Sequence, residues 1–194
     1  MRYLQRNIDK ELISWSKDKF MKPLLLRGAR QVGKTSAVRH LAESFEYYVE
    51  IDLNTRQDIH PLFNSGYTPQ QICQQLSLIV GTPIVEGRTL LFLDEIQACP
   101  SAINSLRYFY EQLPRLHLIA AGSLLEFALR DLPSFGVGRV RSLFMYSFCF
   151  YEFLLALGRN DLVEVISKAS PDQPLFDIVH KKVLEYFRLF LIIG

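Results

Sequence analysis

An α/β architecture is what this sequence predicts: a five-stranded, mostly parallel sheet flanked by helices, with a partial helical segment after it. Two observations predict it. Short apolar runs of strand length alternate with stretches of helical spacing, which implies right-handed crossovers onto a parallel sheet. The first of those runs, Pro23-Leu24-Leu25-Leu26-Arg27, leads directly into a glycine-bounded loop and then a helix.

The elements follow in order. Leu4, Ile8, Leu12, Trp15 and Phe20 lie near helical spacing and predict a leading helix packed on the sheet. The strand at 23–27 is apolar enough to be buried on both faces. The helix after it carries Val38, Leu41, Ala42 and Phe45 on one face. Tyr47–Asp52 reads as the second strand. Residues 55–87 read as two short helices and loops. Thr68-Pro69 supplies the cap and first-turn proline of one helix, and Gly81-Thr82-Pro83 breaks it. Thr89–Asp94 is the third strand, a central one. Ile103, Leu106, Tyr110 and Leu113 mark the next helix, closed by Pro114. Leu116–Ala121 is the fourth strand, Leu124–Leu129 a helix, and Arg139–Met145 the fifth strand. From about Phe150 the pattern is helical, with a soft break at 168–174. The expected division is a core over 1–148 and a helical segment over 149–194, a partial lid or the start of a further region.

The loop Gly28-Ala29-Arg30-Gln31-Val32-Gly33-Lys34-Thr35 matches G-x-x-x-x-G-K-[ST], and Ser36 follows it. Its chemistry comes from its residue types. Gly28 and Gly33 allow unusual dihedrals and close approach. Successive amides from Gly28 to Ser36 then form a nest for phosphate oxygens at a helix N-terminus, which already favours anions. Lys34 is a point charge for β- and γ-phosphates, and the Thr35 hydroxyl is a small ligand for Mg²⁺. Together with the strand and helix around it, the loop predicts a P-loop NTPase fold that binds ATP.

A triphosphate site also needs a metal holder and a water activator. Thr89-Leu90-Leu91-Phe92-Leu93 ends in Asp94-Glu95. In open parallel sheets, ligands sit beyond the carboxyl ends of strands. Asp94 is therefore the second metal residue beside Thr35, and Glu95 the base for in-line attack. At the end of the fourth strand, Ser123 either senses the γ-phosphate or caps the following helix, with Glu126 at the third helical position. Arg139, in Gly136-Val137-Gly138-Arg139-Val140-Arg141, is either a charge stabiliser or an exposed arginine beside an edge strand.

Composition excludes several other classes. A net charge of +2 is too small to argue for nucleic acid on electrostatic grounds. Cys73, Cys99 and Cys149 form no C-x-x-C pair, and the four histidines are dispersed, so no zinc spacing exists. Cys149 and His117 read as packed residues rather than reactive or ligating ones. Unpaired cysteines and an N-terminus without a signal-length apolar core point to the cytoplasm. No run reaches the roughly 18 apolar residues of a membrane helix; the nearest, 184–193, is interrupted by Glu185 and Arg188.

The stretches GARQVGKT, LLFLDEIQACP, IAAGSLLEFAL and GRVRSLFMYSFCFYEFLLALG together resemble the bacterial and archaeal AAA-type ATPases that carry a C-terminal domain after the ATPase core. The resemblance runs from the first helix to about residue 158. It rests on Arg30–Thr35, on Asp94-Glu95-Ile96-Gln97, on a GR pair before the last strand, and on Phe150-Tyr151-Glu152-Phe153-Leu154. It implies an ATP-binding, Mg²⁺-dependent core and makes Arg139 a sensor or finger arginine. Two departures stand out: Tyr146 replaces a usual proline, and Leu124 replaces a usual second serine after Ser123. Family members continue with a Gly-Gly-x-Pro segment near where this chain stops. The resemblance thus implies an N-terminal ATPase part, with the apolar 184–193 helix built to bury against further chain or to self-associate.

The expected function is hydrolysis of ATP. One alternative is a slow nucleotide-dependent switch that regulates a partner protein or effector domain. Another is a small-molecule kinase, against which Glu95 argues. A GTPase is disfavoured because no Asn-Lys-x-Asp segment follows the loop. A homo-oligomer is among the expected partners, through Arg139.

Overall fold

Five strands form one sheet in the computed structural model, which describes residues 3–64, 66–123, 125 and 138–193. They are β1 (Leu24–Arg27), β2 (Tyr47–Asp52), β3 (Thr89–Asp94), β4 (His117–Gly122) and β5 (Arg141–Phe144), in the order β2-β3-β4-β1-β5. Every pairing is parallel. The flanking helices are α1 (Ile8–Ser16), α2 (Lys34–Ala42), α3 (His60–Asn64), α4 (Pro69–Val80) and α5 (Pro100–Gln112).

The period-two alternation of β1 divides the core. Leu24 and Leu26 face α1 and α2 with Leu90, Phe92, Ile119 and Ala121. Leu25 faces the other way, toward the layer that contains Ile72, Leu76, Ile103, Leu106 and Phe109, with Leu91, Leu93, Leu118 and Ala120. Layer placement follows from handedness. The step from β1 to β2 runs one way across the sheet, and the steps from β2 to β3 to β4 run back. Right-handed crossovers in opposite directions must lie on opposite faces. Hence α2 covers one face, and α3 to α5 cover the other.

Local signals set the ends. Thr68 forms a capping box with Gln71, its hydroxyl accepting from Gln71 N, and Gly81 at φ 69 ends α4. The leading helix is shorter than expected. Leu4 and Phe20 are exposed, and Met21 rather than Phe20 enters the core. On α5 the buried aromatic is Phe109, while Tyr110 is half-buried and Leu113 lies past the helix end. The expected helix at 124–129 lies outside the described residues, apart from the buried Leu125. Arg130 and Gly136 lie outside them too.

His117 at the start of β4 is a packed residue. Its Nε2 bonds Ser16 O at 2.9 Å, and Trp15 and Phe45 meet its ring edge-on. Burial lowers its basicity.

The chain divides into two compact units, Ile8–Met145 and a second made of the residues up to Asn7 with those from Tyr146 onward. The sequence instead places residues up to Asn7 with a core over 1–148. The second unit contains α6 (Phe150–Ala156), α7 (Asn160–Lys168) and α8 (Asp177–Ile193). Phe150 and Phe153 pack with Phe190, and Phe150 also meets Phe187 edge-on. Ile178, Leu191 and Ile192 of α8 are exposed.

Arg6 and Asn7 join this unit through a buried carboxylate. Glu152 Oε1 accepts from Asn7 N at 2.7 Å and pairs with Arg6 Nε at 3.1 Å; Oε2 accepts from Cys149 N at 2.9 Å. Arg6 also donates to Tyr146 O and lies over the Phe148 ring. Cys149, expected in the core, is half-buried at the N-cap of α6. Burial disfavours the charge on Glu152, but the two amides and Arg6 outweigh it and hold the carboxyl below its usual range. A depressed carboxyl adds stability that is present above the unfolded pKa, near 4.5, and lost as pH falls through the folded one. Glu152→Gln is expected to cost about 2 kcal/mol at neutral pH, the scale of a hydrogen bond to a charged group. Its stability should fall less steeply than wild type below about pH 4.5. Denaturant melts at pH 7 and pH 4 check both; equal acid sensitivity in the two proteins would remove Glu152 from this role.

Candidate active site

The loop between β1 and α2 is shaped by its glycines and by the end of β5. Gly28 has φ 150, and a Cβ there would collide with the Met145 carbonyl oxygen. Met145 N in turn donates to Arg27 O at 2.8 Å. The chain therefore turns where a side chain cannot fit. Gly33 enters α2 at φ 99, and no side chain caps the helix. That leaves first-turn amides as donors at the positive end of the helix dipole. Ala29, Arg30, Gln31 and Ser36 are exposed; Val32 is half-buried against the core.

Lys34 is buried within the loop. Its Nζ donates to Gly28 O at 3.0 Å and to Ala29 O at 2.8 Å. Burial lowers its pKa, while the charges of Glu95 and Asp94 act the other way. Thr35 Oγ1 donates to Asp94 Oδ2 at 2.7 Å. Residues 59 positions apart thus meet because β1 and β3 end on the same edge of the sheet. Asp94 Oδ1 accepts from Glu95 N at 2.9 Å. Burial raises the Asp94 pKa most; the Thr35 and Glu95 hydrogen bonds oppose it, and the charges of Glu95 and Asp52 add to it. A hydroxyl and a carboxylate held together are oxygen donors of the kind Mg²⁺ takes.

Gln31 at φ 62 and Glu95 at φ 49 are the non-glycine residues with positive φ among the described ones. Both fall in this site. Left-handed backbone at such residues costs roughly 1–2 kcal/mol and concentrates where function requires it. The Glu95 carboxylate accepts from Gln97 Nε2.

Ser123 is buried just past β4. The pairing of Arg27 with Gly122 sets it level with Gly28, so it adjoins the loop. Arg139 is not brought to this edge. It stands just before β5, whose first residue pairs with Leu24 at the opposite end of β1, and its Nε is 2.7 Å from Glu111 Oε1. Sequence reasoning missed two neighbours. Asp52 ends β2 directly beside Asp94 in register, a match visible in the two strand-ending aspartates. Gln97 stood in the sequence as part of Asp94-Glu95-Ile96-Gln97, with no role assigned to it.

Among the described residues no cluster of three His, Cys, Asp or Glu is placed to hold a metal, and no helix is long and apolar enough to cross a membrane. No curated protein matches the sequence. The fold is similar to a solved structure, the Walker-type ATPase of Pyrococcus abyssi. That likeness has 18% identity and a TM-score of 0.51, and covers 98% of this chain and 74% of the other. The family model for the AAA domain matches residues 21–154, from three residues before β1 into α6 and so through the whole sheet. With well over half of its length matched, and the phosphate loop and the paired acids inside the matched span, the chain belongs to the AAA domain family.

Proposed function

We propose that this chain binds ATP with Mg²⁺ and hydrolyses it. One observation carries the reading: the Thr35 hydroxyl and the Asp94 carboxylate meet at 2.7 Å beside a lysine buried in the phosphate loop. The residue roles follow from chemistry. The amides of residues 28–36 bind phosphate oxygens, and Lys34 exchanges its carbonyl partners for the terminal phosphates. Thr35 and Asp94 would hold Mg²⁺, which would supply neutralisation of phosphate charge. Glu95 orients and deprotonates the attacking water. Ser123, level with Gly28, is the polar group that senses the terminal phosphate.

The Pyrococcus protein is described as an ATPase, in agreement with this reading. A carboxylate held at the strand end favours hydrolysis over a kinase, which would need an acceptor pocket there. A slow switch acting on a partner protein would use the same residues and differ only in turnover. The reading also includes a cytoplasmic setting and assembly with further copies, in which Arg139 would serve a neighbouring site.

Lys34→Ala tests it. With Mg²⁺ and a non-hydrolysable ATP analogue at 100 times the dissociation constant, wild type should gain about 2.7 kcal/mol in unfolding free energy. The variant should gain nothing at the same concentration while keeping its unliganded fold. Equal stabilisation of both would take Lys34 out of the site and the proposal with it.

A further inference from the structure

We infer that Gln97 is the positioning residue for Glu95, and that Gly122 at the end of β4 is the seat that allows it. The inference rests on the hydrolytic reading above. Glu95 leaves β3 in the left-handed region, with its amide tied to Asp94 Oδ1. A tight turn follows over Ile96–Ala98, closed by Ala98 N to Glu95 O at 2.9 Å and Cys99 N to Ile96 O at 3.0 Å. That turn folds the Gln97 side chain back toward Glu95, and Gln97 Nε2 donates to Glu95 Oε2.

The other end of the amide explains why this is more than a passing contact. Gln97 Oε1 is buried and accepts no hydrogen bond among the described residues. It lies over Gly122, where a Cβ would collide with it, and a Cβ there would also press on Leu125 at 3.1 Å. The orientation is forced, because only the nitrogen end of an amide can face a carboxylate. Its oxygen is then turned into a place with no donor. A buried acceptor without a partner is unfavourable, and each native instance calls for a reason. Here the reason is the donor that the same amide holds on Glu95. Hydrogen bonding to one carboxylate oxygen restricts the rotation of Glu95 and leaves Oε1 as the oxygen that would take the proton from water. Because Gly122 precedes Ser123, this seat also joins the aim of Glu95 to the strand end that adjoins the phosphate loop.

A glutamine that merely filled space would be replaceable by any side chain of its size. Gln97→Met keeps the volume and removes the donor. Turnover of ATP is expected to fall roughly tenfold or more, the scale of a misaligned catalytic group. KM for ATP and the stabilisation by a non-hydrolysable analogue with Mg²⁺ should stay at wild-type values, and the melting temperature should not fall, since an unsatisfied buried oxygen is removed. Gly122→Ala should produce the same loss of turnover with Gln97 intact, by displacing its amide. In a Glu95→Gln background Gln97→Met should lower turnover no further. Wild-type turnover in Gln97→Met, or an equal loss with and without Glu95, overturns the assignment of Gln97, and wild-type turnover in Gly122→Ala overturns the seat. Normal turnover in Glu95→Gln itself overturns the role of Glu95, and the Gln97 assignment falls with it.

Discussion

Glu95→Gln is expected to bind ATP as wild type does and to turn it over at least about 100-fold more slowly. The substitution keeps the size of the side chain and an oxygen that Gln97 Nε2 can still donate to. The left-handed backbone at Glu95 and the bond from its amide to Asp94 Oδ1 do not depend on the side chain. What is lost is the base. The loss therefore appears in kcat, while KM and analogue-induced stabilisation stay near wild type. Asp94→Asn makes the contrast. It removes charge from the Thr35 pair, and so weakens the dependence on Mg²⁺ rather than the base. Single-turnover hydrolysis with saturating ATP measures both. Undiminished hydrolysis by Glu95→Gln would move the water-activating role elsewhere and favour a phosphoryl acceptor other than water.

Arg139→Ala is expected to cut turnover by up to about a thousandfold with little change in ATP affinity, as for arginines that stabilise transition-state charge from a neighbouring subunit. The effect is expected from a second copy because of where Arg139 stands in its own chain. Arg139 precedes β5 at the end of the sheet where β1 begins, whereas the phosphate loop starts where β1 ends. Its present partner does not bind it strongly. The pair with Glu111 is half-exposed on both sides, and such pairs contribute about 0–1 kcal/mol. The guanidinium is thus available to a second molecule. Specific activity should rise with protein concentration, and mixing Arg139→Ala with Glu95→Gln protein should restore activity at interfaces that join an intact Glu95 to an intact Arg139. Concentration-independent turnover without recovery on mixing would exclude Arg139 from the chemistry.

Much of the site was legible because its signals are local. Gly28 to Thr35 is a contiguous pattern, and the strand before it and the helix after it are contiguous too. Asp94 and Glu95 end an uninterrupted apolar run, so their place at a strand end follows from the run itself. Errors arose where periodicity offers two answers. Phe20 and Met21 are adjacent and apolar, and only packing selects Met21 for the core. Tyr110 and Phe109 are likewise adjacent, and the buried stripe of α5 takes Phe109 because it lies three positions after Leu106 on the covered face.

The sequence by itself determined the kinds of element, their order along the chain, and the loop that defines the chemistry. Those depend on interactions among residues a few positions apart: hydrophobic period, glycine dihedrals and helix-start signals. Only the tertiary structure decided which strands are neighbours. The order β2-β3-β4-β1-β5 puts β4 between β1 and β3, and no local pattern encodes that adjacency. It follows from long-range pairing and from crossovers that must be right-handed. The same nonlocal packing joined Thr35 to Asp94, set Asp52 beside Asp94, seated the Gln97 amide oxygen over Gly122, and placed Arg139 at the far end of β1. Each of these depends on where two distant backbones meet, which is fixed by the buried faces of the sheet and not by the residues on either side of the one in question.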